Sequence, residues 1–405
     1  MAEPSRMRSL PDWSSGLPTE LLEIIAKKLP SGHDAAAFRA VCSPWRAVLP
    51  FARFAPVLML PYDPDAPSPA GAAATFYSLE EERTFELPLG PALHGKVVCG
   101  SSCGWLALAD EAASVTLLNP FTGSRVALPP ADEHVAEASS KSVTRADGGG
   151  WLLRHSSGDD SPVTLDMMEE VFFRSIVLSA APNNLHGGGG FVAMAVLADS
   201  AEVAFCRVGD NAWTLIETNV ECCVSTIVHC QDRFIVIGCL GEISTISTNI
   251  AGEDAAIPPT VRPVSSLPEA GEMCHRSYLR LNGQLHLVGV AMKVFLGEWP
   301  FHQHAVVYKC DLTGETPVWT MVTDAGDTAI FVSKYFNTGF GGPSVFKIRR
   351  NRIYLSEPMY SGQEEDSRDH SMELVDIAAG TSEKIAYPTM KGPEIISWIR
   401  PNLWT

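Results

Sequence analysis

Gly104 to Pro130 reads GWLALADEAASVTLLNPFTGSRVALPP. An apolar run, a polar turn, a second apolar run, an Asn-Pro-Phe-Thr-Gly turn and a short third run ending in Leu-Pro give three strands joined by turns. The same loose unit recurs: VLMLPY…TFYSL…TFELPL from Val57, FVAMAVL…EVAFCRVGDNAWTLI from Phe191, and RFIVIGCLGEISTIST from Arg233. It recurs again as QLHLVGV…AVVYKCDLTGETPVWTMV from Gln284 and RIYLSEPMY…MELVDIAAGTSEKIAYP from Arg352. A further short strand precedes most copies, at 96–99, 173–178, 225–228, 278–281 and 344–348, so the unit has four strands. Four-stranded units repeating every ~40 to 50 residues are the pattern of propeller blades. The region 55–405 has room for about eight at that spacing. Ala131–Asp160 is rich in Gly, Ser and Asp, and Ser361–His370 is acidic; both read as loop insertions, leaving six or seven blades. The run Ile395–Ile399 is expected to supply the missing strand of the blade begun at Val57 and so close the ring.

The chain has 405 residues, 46% of them hydrophobic and 19% charged, with a formal net charge of −17. That is a globular composition with room for one small and one large domain. The first 50 residues hold six basic and five acidic side chains, leaving 24 basic against 42 acidic for the rest. Such a surface repels nucleic-acid phosphates and acidic membranes, and suits a basic partner. No apolar run approaches the ~20 residues of a membrane span, and MAEPSRMRSLPDW lacks the apolar core of a signal peptide. No Asn-x-Ser/Thr acceptor occurs, and the 10 cysteines lie mostly in apolar strand-like runs, so buried free thiols in the cytoplasm and/or nucleus are expected.

Residues 12–50 are of another kind: DWSSGLPTELLEIIAKKLPSGHDAAAFRAVCSPWRAVLP. Leu17, Leu21, Ile25 and Leu29 recur every four residues with Leu22 beside them, and Glu20, Glu23, Lys27 and Lys28 fill the other side. This is an amphipathic helix stopped by Pro30. Asp34 can cap a second short helix carrying Phe38, Val41 and Cys42, and Ser43-Pro44 opens a third with Trp45 and Val48. Residues 1–11 are expected to be flexible. Three helices this short bury little, so the unit is expected to lean on another surface. The stripe cannot face one way with every residue; Leu21 and Ile25 are expected to pack on Phe38 and Trp45, leaving Leu17, Pro18, Leu22 and Val41 exposed.

The order Leu17-Pro18, Leu21-Leu22, Ile25, Leu29, Phe38-Arg39, Val41-Cys42 and Trp45-Arg46 resembles the F-box, particularly the plant form ending in RxVCxxWR. The resemblance implies docking on a Skp-type adaptor, and through it on a cullin, in a ubiquitin ligase. It makes Leu17, Pro18, Leu21, Leu22, Ile25, Leu29, Val41, Cys42 and Trp45 form or support the adaptor surface, with Arg46 at its rim. From GWLALADE onward, through RVGDNAWTLIE, NGQLHLVGV and NRIYLSEP, the chain also resembles plant F-box proteins with a kelch-like C-terminal domain of unknown function. That likeness implies a non-catalytic subunit recruiting an unknown protein substrate through the propeller. A binding module outside any ligase, competing for the adaptor or holding a ligand or glycan, is the alternative; a propeller enzyme is the third.

Several constellations of chemically capable residues have plainer readings. Gly100-Ser101-Ser102-Cys103-Gly104 fits G-x-S-x-G, but the strand WLALAD follows where a nucleophile elbow needs a helix, so a β-turn is expected. His302, His304 and Cys310, the pair Cys99 and Cys103, and the pair Cys222-Cys223 each lack a second half at zinc spacing, so neither metal nor cofactor is expected. Lys347, Arg349, Arg350 and Arg352 straddle a hairpin turn and read as solvated, and Gly187–Gly190 as a flexible connection. Trp299, Tyr335, Phe336 and Phe340 sit in loops; they are the first candidates for touching a substrate, although packing at a blade junction is the commoner role of such aromatics.

Overall fold

Extended backbone at Pro18 starts helix α1 (Thr19–Lys27), and the Pro18 carbonyl accepts the N–H groups of Leu21 and Leu22 at 3.0 and 3.2 Å. The computed structural model describes residues 17–29, 34, 38, 41–48, 55–67, 74–139, 142–182, 190–247, 262–264, 273–293, 302–314, 317–333, 337–341, 348–356, 371–386 and 397–402. These fall into two units, Met1–Ala55 and Pro56–Thr405. In the first, Leu22 and Ala26 pack with Phe38, and Leu17, Leu29, Trp45 and Val48 close around them. Helix α2 (Ser43–Val48) begins at the expected Ser-Pro pair. Asp34 and Phe38 are helical, while the bounds of the expected middle helix lie outside the described residues, as do residues 1–11.

The second unit is built of antiparallel blades. The first holds β1 (Val57–Met59), β2 (Ala74–Ser78) and β3 (Arg83–Leu87). After the single turn α3 (Gly90–Leu93), the next holds β4 (Val97–Ser102), β5 (Trp105–Ala109), β6 (Val115–Leu118) and β7 (Arg125–Ala127). Helix α4 (Glu133–Ala138) and a small sheet of β8 (Val143–Arg145), β9 (Trp151–Arg154) and β10 (Asp160–Pro162) intervene. The short helix α5 (Met168–Val171) leads into β11 (Phe173–Leu178), β12 (Val192–Leu197), β13 (Glu202–Arg207) and β14 (Thr214–Glu217). Two more blades follow, one of β15 (Val224–Cys230), β16 (Arg233–Gly238), β17 (Ile243–Ser247) and β18 (Arg262–Val264). The other is β19 (Met273–Leu281), β20 (Gln284–Lys293), β21 (His302–Asp311) and β22 (Val318–Val322). The last takes β23 (Thr328–Val332), β24 (Thr338–Gly341), β25 (Arg352–Leu355), β26 (Ser371–Asp376) and β27 (Ser382–Ala386).

Burial sorts the strands radially. Strand β12 is buried at all positions because it has a strand on either side and a blade on either face, whereas β7, β22 and β27 are mostly exposed at the outer rim. The rim strands carry charges such as Glu383 and Lys384, which discourage edge pairing. Innermost strands abut directly: a Cβ on Gly100 of β4 would lie 2.5 Å from the Ile176 carbonyl oxygen of β11, so only glycine allows that approach.

The ring closes as expected. Strand β28 (Ser397–Ile399) pairs with β1, Val57 opposite Ile399 and Met59 opposite Ser397. Trp398 is fully buried edge-on against Phe331 of the preceding blade, 4.9 Å between ring centres. The Asn402 side chain donates to the Cys103 carbonyl at 2.7 Å, and Asn119 donates to the Asn402 carbonyl at 2.6 Å, fastening the closing segment to the second blade.

Among the described residues there are six blades of four or five strands, the lower of the two expected numbers. The small sheet β10-β9-β8 is not a seventh, because β4 and β11 meet without it. It corrects the reading of Ala131–Asp160 as loop. Asp132 caps α4 by accepting the Val135 N–H at 3.0 Å, and Trp151 of β9 packs 4.9 Å from Phe172 while donating to the Ala112 carbonyl at 3.1 Å. The insertion thus fills the wedge between the second and third blades with apolar side chains. The last blade departs too: β23 pairs in parallel with β25, and β24 folds back on β23. The expected strand 344–348 lies almost wholly outside the described residues.

Candidate functional site

Two surfaces gather the side chains that can bind a partner. On the helical unit, Leu22 is 2% exposed, while Leu21 is 46%, Ile24 50% and Val41 50% exposed. The expected division is therefore reversed on α1. Leu22, with Ala26 one turn on, faces Phe38; Leu21 and Ile25 face outward. The apolar residues of α1 cover more than half its circumference, and one Phe38 ring can cover only one stripe. Pro18 and Val41 are exposed, as expected, whereas Leu17 is half-buried against the core with Leu29 and Trp45. Cys42 is half-buried, and the Arg46 side chain lies outside the described residues. Phe38 and Trp45 pack at 4.6 Å between ring centres, and the Trp45 indole N–H is buried without an acceptor among the described residues. Ile24 belongs with the outward set and was missed; its signal was the i, i+3, i+4 spacing Leu21–Ile24–Ile25 beside Pro18.

On the propeller, the innermost strands run one way and end together near Ser102, Leu178, Cys230, Leu281 and Ile399. At this end Arg280 is exposed, and the Arg400 guanidinium lies 5.9 Å from the centre of the buried Phe340 ring. Burial and the positive charge of Arg280 both draw Arg400 below its ordinary range. The Arg400 Nε is buried without a partner, and neither arginine forms an ion pair with another described residue. In a chain of net charge −17 this is a local cationic spot. Phe340 is thus a platform inside the blade junction rather than an exposed anchor; Trp299, Tyr335 and Phe336 lie outside the described residues.

The remaining constellations resolve. Cys103 and Gly104 both have positive φ, 53° and 79°, which makes the G-x-S-x-G stretch a tight hairpin turn. Ser102 Oγ accepts the Leu178 N–H at 3.0 Å, tying two blades. Arg349 and Arg350 pair with Glu383 and Asp327, and Arg352 with Asp376 at 2.8 Å, so these three arginines are paired within their own blade rather than merely solvated; Lys347 lies outside the described residues. A surface cleft of about 410 Å³ is lined by Pro64, His94, Asp110 and Glu111 among others. Asp110 there accepts the N–H groups of Ala112 and Ser114 and so serves its own turn. The cysteines supply a grouping that spacing did not show: Cys222 and Cys223 meet Cys239 from a separate turn. Among the described residues, no helix is long and apolar enough to cross a membrane.

Fold and surfaces together define a six-bladed β-propeller preceded by a small helical unit with exposed apolar side chains. The chain belongs to the KIB1-4 beta-propeller family, whose model matches residues 76–377. F-box protein SKIP23 of Arabidopsis thaliana is 30% identical over 210 residues, 51% of this chain and 48% of that protein, so the match spans about half of that relative's length. A putative F-box protein of Arabidopsis thaliana is 26% identical over 336 residues, 79% of this chain and 78% of that protein. Among solved structures, TolB from Acinetobacter baumannii aligns with TM-score 0.36 and 8% identity, covering 90% of this chain and 72% of that one.

Proposed function

We propose that this chain is the substrate-recruiting subunit of a Skp–cullin–F-box ubiquitin ligase. Its helical unit docks on a Skp-type adaptor, and the propeller holds a protein substrate. The observation that carries the reading is the helical unit's imbalance: among the described residues 17–48, Leu22, Ala26 and Phe38 are buried, while Pro18, Leu21, Ile24, Ile25 and Val41 stand in solvent. A unit this small gains most of its stability by covering such residues with a partner. The residue order of the F-box and the names of the relatives support the adaptor as that partner. The chain acts as a tether without chemistry of its own, in the cytoplasm and/or nucleus. Arg280 and Arg400 at the channel end favour a substrate that presents an acidic segment there.

The test is co-expression of the full chain with a plant Skp-type adaptor, followed by co-purification. The wild-type complex should form, and Leu21→Asp with Ile25→Asp should abolish it while leaving the circular dichroism of the propeller unchanged. A folded chain that retains none of several adaptors, or a double variant that still binds, would overturn the reading. Recovery of the cullin with the adaptor separates a ligase subunit from a competitor for the adaptor.

A further inference from the structure

The turn before β15 and the turn after β16 bring together three thiols. The Sγ atoms of Cys222, Cys223 and Cys239 all lie within 4.8 Å of one another, and none is in a disulfide. The two turns are joined by backbone, Cys239 N–H to the Cys223 carbonyl at 3.0 Å. A carboxylate flanks them. Glu242 Oε1 accepts the Glu221 N–H at 3.3 Å, while Oε2 is buried and has no partner among the described residues. Gly238 makes that placement possible: a Cβ there would strike Glu242 Oε2 and lie 3.1 Å from its carboxyl carbon.

We propose that Cys222, Cys223 and Cys239, with Glu242 turning in, form a binding site for a thiophilic divalent cation of the zinc class, a structural clip that fastens the entry of the fourth blade to its β16–β17 turn. A tetrahedral zinc ion with Zn–S of about 2.3 Å holds its sulfurs about 3.8 Å apart. The three thiols therefore need to draw in by about 1 Å at most, which exposed turn side chains do by rotating about χ1. Glu242 stands outside the 4.8 Å grouping of the three sulfurs; by turning in, its Oε2 supplies the fourth ligand and gains a partner. On binding, each thiol still protonated gives its proton to solvent and its sulfur lone pair to the metal, so up to three protons leave per ion. Two of the three cysteines are exposed, which gives the ion its entry path.

The site is tested on the full chain, reduced and stripped of metal, by titration with Co²⁺ and then Zn²⁺. One equivalent of Co²⁺ should give the near-ultraviolet sulfur-to-metal charge-transfer band and the intense visible bands of tetrahedral cobalt, and Zn²⁺ should displace it. Cys239→Ser should weaken binding by more than the roughly 100-fold loss seen when a group that only orients a ligand is removed. Glu242→Gln should shift the visible bands, and Cys103→Ser should change nothing. If Cys239→Ser fails to fold, alkylation of the wild-type chain decides: Zn²⁺ should protect all three cysteines together. Absence of stoichiometric binding, binding indifferent to Cys239, or any two of Cys222, Cys223 and Cys239 found joined in a disulfide in reducing buffer would each overturn the proposal.

Discussion

The helical unit and the propeller use apolar residues in opposite ways. In the propeller, β12 hides every side chain between two neighbouring blades, and each blade completes the core of the next. In the helical unit, α1 hides Leu22 and Ala26 and shows Leu21, Ile24 and Ile25. In the ring each blade face packs on a neighbouring blade, whereas the described core of the helical unit is Leu22, Ala26 and Phe38 with Trp45 beside them, too little to cover the outer side of α1. Apolar burial is concentrated in the first and apolar exposure in the second.

The sharpest way to break that contrast is to open the ring. Removing residues 391–405 takes away β28 and Trp398, and the cooperative thermal transition of the whole propeller should disappear, not merely that of one blade. A propeller that melts normally without β28 would show that closure contributes little.

Next in size is a pair of neighbours on α1. Leu22→Ala should cost about 2 kcal/mol or more and melt the helical unit, because it empties a core of three residues. Leu21→Ala should change stability by no more than about 0.5 kcal/mol and yet weaken the adaptor complex. Chemical denaturation of each variant, alone and with adaptor, separates the two; equal losses of stability would erase the distinction between inner and outer stripe.

Two glycines sharpen the comparison inside the ring. Gly100→Ala forces a methyl group against the Ile176 backbone and should cost about 1–3 kcal/mol, since neither innermost strand can retreat. Gly339→Ala meets the end of the Leu281 side chain, which can turn aside, and should cost less than about 1 kcal/mol. Thermal melts that ranked them the other way would place the rigid contact elsewhere.

The smallest effect is a titration. Burial, then the neighbouring charge of Glu81, raises Glu80 to about 7. The folded state therefore holds this proton more tightly than the unfolded chain, and the ionised carboxylate opposes folding above pH 7. That penalty fades as pH falls through 7 and is gone below about 4.5, the ordinary value. Glu80→Gln should melt slightly higher than wild type at pH 8, and the gap should close by pH 5. A gap independent of pH would show that Glu80 does not titrate in this window.

The blades were legible in the sequence because their middle strands must be apolar on both faces, and runs such as VAMAVL and RFIVIG leave no other reading. The closing strand was legible for the same reason, from SWI after an unpaired first blade. The sheet of the insertion was not, since its anchor is one residue, Trp151, among Gly, Ser and Asp. The helix of the first unit was visible in its spacing, but which stripe turns inward depends on where Phe38 lands, and periodicity carries no information on that. The cysteine grouping was hidden because its members come from the connection between the third and fourth blades and from the β16–β17 turn, which only the ladder of β15 with β16 brings face to face.

Ring closure also fixes an order of events during synthesis. The ribosome delivers α1 first and β28 among the last strands, so the binding surface of the helical unit emerges while β1 still lacks its partner. The nascent propeller waits with an open edge, and its slowest contact joins strands from opposite ends of the domain. On the proposed function, a message cut short anywhere within the blades would therefore yield a chain able to occupy the adaptor but unable to complete the surface proposed to hold a substrate. Such a fragment would poison the complex rather than merely be absent from it.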